Sequence, residues 1–182
     1  MESQMKMSAA RIGDLDRIAA ETEIRQLPLQ YAHAFLVRDE ALLLSLWASI
    51  ETPAEPHMLD RDWAHALVAR WHSLGTTMLH VTNHLITFED PSKAHGHVQC
   101  LAQLDRGEEF IEQSILYEDR YVYSDGRWLF AMRDHRLWFG TIRDRHPMRQ
   151  APAAWPASQV GSGSLPDDLR HVASGWWAAH DR

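Results

Sequence analysis

The sequence predicts an α+β domain, with N-terminal helices packed on a curved, mostly antiparallel sheet, and a change of texture at Gly75 carries that reading. Before Gly75 apolar residues recur at helical spacing, and Asp39 and Asp60 stand where helix N-caps belong. After Gly75 the chain reads as four β-rich runs separated by polar or glycine-bearing turns. Helical runs followed by strand runs argue for segregated layers, not for βαβ alternation.

The first helix is expected over Ile12–Leu27, burying Ile12, Leu15, Ile18, Ala19 and Thr22. Pro28 lacks a donor and crowds the preceding turn, which predicts a kink or restart there. A second helical piece, Leu29–Val37, then buries Tyr31, Ala34 and Phe35. Asp39 is placed to cap a helix over Glu40–Trp47, and Asp60 one from Arg61 to about His72 with Trp63, Leu67, Val68 and Trp71 inward. Between these helices, Glu51–Asp60 with Pro53 and Pro56 reads as a connector or short strand. The strands are expected over Thr76–Phe88, Ala94–Leu104, Phe110–Tyr123 and Arg127–Phe139, the last two joined by a hairpin turn at Ser124, Asp125 and Gly126. Residues 1–143 form the domain. Residues 144–182 are a Pro-, Ala-, Ser- and Gly-rich tail whose Trp155, Trp176 and Trp177 predict docking of parts of it on the body or on a second subunit.

Composition narrows the function. A chain of 182 residues fits one domain with a tail, and 45% apolar residues with eight Trp can fill a core and line a cavity. Net charge is −7 and no basic run exceeds two residues, so nucleic acid is not an expected partner. The lone Cys100 cannot form an intrachain disulfide, and no Cys/His set has zinc-finger spacing, which fits a reducing, cytoplasmic setting. Residues 1–20 lack the apolar block of a signal peptide, and no run approaches the ~20 apolar residues of a membrane span. Without a phosphate loop, a GxSxG elbow or a Walker motif, nucleotide and serine-nucleophile chemistry are disfavoured. What remains is a cofactor-free pocket lined by Trp, Leu, Phe and Met, suited to a hydrophobic cyclic small molecule.

Three stretches carry a family likeness: "EIRQLPLQYAHAFLVRDEALLLSLW" (23–47), "HVTNHLITFED" (80–90) and "YEDRYVYSDGRWLFAMRDHRLWFG" (117–140). Together they resemble the SnoaL-like branch of the nuclear transport factor 2 superfamily. Relatives include scytalone dehydratase, hexachlorocyclohexane dehydrochlorinase, bile-acid 7α-dehydratase and polyketide cyclases. The resemblance implies a cone-shaped α+β barrel around one pocket, and implies a reaction only loosely. In the eliminating enzymes of this branch, a helical Tyr is followed eight residues later by an Asp that orients a catalytic His from the first long strand. Tyr31 and Asp39 have that spacing, and Trp128 with Arg133 matches a pocket Arg five residues after a Trp. The His departs from the pattern. Relatives carry it four residues before the Asn, where this chain has Leu79, while His80 lies three before Asn83. A β-bulge between His80 and Asn83 is expected to restore the arrangement and bring His80 to Asp39.

The catalytic candidates are therefore Asp39 and His80 as a two-residue base and Arg133 as the electrostatic partner of a developing anion. Tyr31, Trp47, Asn83 and Tyr117 are the substrate-binding candidates. Four of them keep a local alternative: Asp39 as a helix N-cap, His80 on the outer face, Arg133 paired with Asp119 or Glu118, and Tyr31 filling the core. His80 with His84, and His95 with His97, fall at same-face strand spacing, but no third metal ligand has supporting spacing. The expected activity is a cofactor-independent lyase or isomerase of dehydratase or dehydrohalogenase type. A non-catalytic binding or assembly module of the same fold and an epoxide hydrolase-like enzyme are the alternatives. Because helices cover only one face of such a sheet, a homodimer or higher homo-oligomer through the convex face is expected.

Overall fold

The computed structural model describes residues 2–49, 58–69 and 75–163, with residues 2–12, 14 and 58 by backbone alone. In chain order the elements are α1 (Glu2–Val37), α2 (Glu40–Ser45), β1 (Met58–Leu59), α3 (Arg61–Val68), β2 (Thr77–Asp90), β3 (Lys93–Arg106), β4 (Glu109–Ser124) and β5 (Arg127–Ile142). The sheet runs β1-β5-β4-β3-β2 with every neighbouring pair antiparallel, so β1 and β2 are its edges and it stays unclosed. The four long strands are a meander. Their β4–β5 turn places Asp125 (φ 54°) and Gly126 (φ 82°) in the left-handed region, the backbone that a two-residue hairpin matching the sheet's twist requires.

α1 runs unbroken through Pro28, so the expected restart is absent. Pro28 is fully buried, and packing on the sheet offsets the lost hydrogen bond. The buried stripe of α1 also differs from the expected one. Leu15 and Ile18 are 65% and 60% exposed, whereas Ile24, Leu27, Tyr31, Ala34 and Phe35 are buried. At about 100° per residue, Leu15 and Ile24 lie on opposite sides of the helix. Both stripes have helical spacing, and only the second meets the sheet. It packs with Leu43, Trp47, Leu59, Leu67, Trp128 and Phe130 into the main core.

α1 ends with Arg38 at φ 57° and the Asp39 amide donating to the Ala34 carbonyl at 3.0 Å. This six-residue closure is a Schellman-type stop. It turns Asp39 directly into the N-cap of α2, where its carboxylate accepts from the Leu42 amide at 2.8 Å. Asp60 likewise caps α3 through the Trp63 amide. The helices are shorter than the spacing suggested: α2 stops at Ser45, and α3 at Val68. Trp71, Pro53 and Pro56 lie outside the described residues.

After β5, His146 reaches back to Asp105 at 3.1 Å and sets its ring edge-on to Phe110, and Arg149 pairs with Glu108 at 2.6 Å. Trp155 is 73% exposed, while Trp176 and Trp177 lie outside the described residues. Among the described residues, no helix is long and apolar enough to cross a membrane.

Candidate functional site

Strand alternation decides which side chains the sheet turns toward the helices. On β4, Ile115, Tyr117, Asp119 and Tyr121 are buried, and the aligned residues of β3, Cys100, Val98, Gly96 and Ala94, are buried with them. On β5, Phe130 and Arg133 face the same interior, across an irregularity between Arg120 and Tyr121 that lets both residues point inward.

β2 carries the decisive irregularity. Val81 pairs with Cys100 and His84 with Val98, which leaves Thr82 and Asn83 together opposite Gln99. This is a β-bulge at the expected place. Its effect on the candidates is the reverse of the expected one. The bulge puts Leu79, Val81 and His84 on the helix-covered side and leaves His80 and Asn83 exposed. His80 Nε2 lies 3.3 Å from Gln103 Oε1, and Asn83 Nδ2 donates to Gln99 Oε1 at 2.7 Å. Asp39 is exposed and committed to its N-cap, and no hydrogen bond joins it to His80. The expected contact between His80 and Asp39 is thus not formed: parity across the bulge turns one outward, and the Schellman stop turns the other into a cap. The same parity separates His80 from His84, so the two do not share a metal-binding face, and no cluster of metal-ligating groups occurs among the described residues.

Arg133, Tyr31, Trp47 and Tyr117 do come together. Arg133 is fully buried and grips Asp119 side-on, Nε to Oδ1 and Nη2 to Oδ2, both at 2.7 Å. Three rings enclose the guanidinium, with centroids 4.4 Å (Tyr31), 4.0 Å (Tyr117) and 4.5 Å (Phe130) from its carbon. Trp47 packs on Phe130 at 5.1 Å and edge-on to Tyr31 at 6.4 Å. Arg133 Nη1 is buried with no hydrogen-bond partner among the described residues. Burial alone would lower the guanidinium's pKa, but Asp119 outweighs it and raises it, so the charge is permanent. Burial pushes the phenols of Tyr31 and Tyr117 well above their ordinary range, so both remain hydrogen-bond donors. Burial raises the Cys100 thiol to about 11, which removes it as a nucleophile near neutral pH.

The ion pair extends sideways. Tyr121 donates its hydroxyl to Asp119 Oδ2 at 2.8 Å, and the Tyr121 hydroxyl oxygen lies 3.0 Å from His84 Nε2. Gly96 makes room for this contact: a Cβ there would come within 3.0 Å of both His84 Nε2 and Tyr121 Cε2. Burial lowers the His84 pKa from 6.5 to about 4, with Arg25 and Arg133 adding to the effect and Asp119 opposing it. His84 is therefore neutral at pH 7. A consequence for stability follows by linkage. Between the folded value of about 4 and the ordinary 6.5, the unfolded chain binds a proton that the folded chain refuses. Stability contributed by neutral His84 is complete above about pH 6.5 and lost as pH falls toward 4. In urea unfolding at stepped pH, His84→Gln is expected to flatten that acid limb; an unchanged limb would place the titration elsewhere.

A family model for the SnoaL-like domain matches residues 16–134, more than half of the chain. The chain belongs to the SnoaL-like family. This places it in the nuclear transport factor 2-like superfamily. Among solved structures it is similar to the hexachlorocyclohexane dehydrochlorinase LinA-type3 from Novosphingobium barchaimii LL02, at 24% identity over 73% of this chain and 96% of that one, with a TM-score of 0.62. A LinA Type2 hexachlorocyclohexane dehydrochlorinase is similar at 25% identity over 73% and 95%, TM-score 0.60. A protein of unknown function from Mycobacterium tuberculosis, Rv3472, solved as a variant, is similar over 90% of this chain and 89% of its own at 16% identity, TM-score 0.57. No curated protein matches the chain.

Within this SnoaL-like frame, the inner-face position four residues before Asn83 belongs to Leu79, which packs against the main core and against a second cluster of Val98, Cys100, Ala102, Ile115 and Tyr117. The residues that form the buried polar centre carried fainter sequence signals. Asp119 sits between Tyr117 and Tyr121 at strand spacing, so a carboxylate on an aromatic inner face was readable. His84 could be found only by counting parity through the bulge.

Proposed function

We propose that this chain is a cofactor-independent lyase or isomerase, of dehydratase or dehydrohalogenase type, acting on a hydrophobic cyclic small molecule. One observation carries the reading: a SnoaL-like interior built of aromatic walls around a permanently charged, buried Arg133. Such a wall suits a weakly polar ring, and such a cation supplies the fixed charge against which an enolate, alkoxide or leaving halide develops. Tyr31 and Tyr117 add phenolic donors beside it. Dehydrochlorinases among the similar structures support the same class. The reading does not use Asp39 or His80 as the base.

A screen of halogenated and hydroxylated alicyclic and polycyclic compounds, followed by mass spectrometry for loss of halide or water, tests this. For a compound that reacts, Arg133→Lys is expected to lower kcat by about 10²-fold or more, as removal of a preorganised donor does. Asp39→Asn and His80→Ala are expected to leave turnover nearly unchanged. Turnover that collapsed in the Asp39 and His80 variants but survived Arg133→Lys would overturn the reading.

A second reading, a binding module without chemistry, is favoured by Leu79 in place of the family's imidazole; tight binding of a ring compound without any mass change would support it. An epoxide-opening enzyme finds less support, because both oxygens of the buried Asp119 are committed to Arg133 and Tyr121. Self-association through the outer face is also proposed. Leu101, Ser114 and Phe139 align across that face, with Leu101 and Phe139 exposed. Sedimentation as a 21.0 kDa species at micromolar concentration would count against it.

A further inference from the structure

We propose that His84 is the proton acceptor of the reaction inferred above, on which this assignment rests, and that it acts through Nδ1 while Tyr121 and Asp119 hold it as the Nε2–H tautomer. The polarity of the hydrogen-bond chain dictates the tautomer. Asp119 is ionised against Arg133 and can only accept, so the Tyr121 proton goes to Asp119 Oδ2. The Tyr121 oxygen is then left as an acceptor for His84, 3.0 Å away, which requires the proton on Nε2. Nδ1 must carry the lone pair. It is buried and has no hydrogen-bond partner among the described residues. A buried acceptor without a donor costs free energy that no described residue recovers, which points to a group supplied from outside.

In the step assigned here, Nδ1 takes a proton from a ring C–H bond. The electron pair of that bond becomes the new C=C bond, and the neighbouring substituent leaves with the electrons of its own bond. The imidazolium then gives its proton to a departing hydroxide, which leaves as water, or to solvent when halide departs. Tyr121 and Asp119 are positioning residues: the Nε2–H bond to Tyr121 strengthens as the ring becomes cationic. Around His84 the titratable and charged groups are Asp119 and Glu21, which favour its protonation, Arg25 and Arg133, which oppose it, and the Tyr121 phenol. Arg25 also donates to the His84 backbone carbonyl at 3.0 Å, tying α1 to this point of β2.

Two measurements test the assignment. Nitrogen-15 NMR of the histidine rings at pH 7, with the His84 signals assigned by their loss in His84→Gln, is expected to show a protonated Nε2 and a bare Nδ1. An Nδ1–H tautomer or an imidazolium would overturn the proposal without any substrate. On a compound that reacts, His84→Gln is expected to lower kcat by about 10²–10⁴-fold with little change in KM, the usual yield of a general base. His80→Ala is expected to be silent. Tyr121→Phe, which frees the tautomer, is expected to lower kcat and change the acid limb of the pH–rate profile, an effect that loss of packing alone would not produce. Turnover indifferent to His84→Gln overturns the assignment even where the lyase holds. Failure of every compound counts against the lyase, and the tautomer is still decided by NMR.

Discussion

Asp119→Ala is expected to destabilise the fold by about 3–5 kcal/mol, the cost of stranding one partner of a buried ion pair. Both side chains of the pair are fully buried. Arg133 cannot shed its charge, so the variant keeps a cation enclosed by Tyr31, Tyr117 and Phe130 with no anion. The ring faces attract it, but each such contact is worth only about 0.5–2 kcal/mol and is already present in the native protein. Tyr121 loses its acceptor at the same time. Pairing the change with Arg133→Met removes the stranded charge and is expected to recover much of the loss, because apolar replacement of a whole buried pair is often neutral. Equilibrium unfolding in urea measures both. A single variant within about 1 kcal/mol of the parent would mean that water reaches the pair.

Phe130→Ala is expected to cost a similar 3–5 kcal/mol, for a different reason. The ring is completely buried and touches Trp47 (5.1 Å), Tyr121 (5.6 Å) and Tyr31 (6.2 Å) between ring centroids. Removing it opens a cavity beside the guanidinium. The backbone of Phe130 bonds to Leu46 and Ala48, both at 2.9 Å, and survives the change, so the element order should persist while the core loosens. Urea unfolding gives the magnitude. A loss below about 1 kcal/mol would mean that neighbouring rings collapse into the space.

The order and character of the elements could be read from the sequence because periodicity and turn chemistry are local. Asp39 and Asp60 announce their helices by residue type, and the Asp125–Gly126 hairpin by the positive φ its turn needs. The buried face of α1 could not be read this way, since Leu15 and Ile18 offered as good a stripe as Ile24, Leu27 and Tyr31. Which stripe is covered depends on where the sheet ends, a tertiary fact. The site divides along the same line. Tyr31 and Tyr117 converge because they lie on regular stretches, where spacing fixes direction, while Arg133 joins them across the β4–β5 irregularity and Trp47 through its bridge to Phe130 beyond the end of α2. His80 and Asn83 went astray even with the expected bulge in place, because Leu79 and Val81 take the inner face before it and His84 takes it beyond. Asp39 failed for another reason: an Asp after a left-handed residue serves a helix cap as well as it serves an imidazole.

The location of the ligand site is tested most directly by following side-chain NMR signals while a reactive or tightly bound ring compound is titrated in. If the functional centre is the interior one, the Arg133 Nε–H and the His84 ring nitrogens shift with the ligand, and His80 on the outer face stays still. Movement of the His80 and Gln103 signals with Arg133 and His84 unperturbed would contradict it and return the site to the outer face of β2.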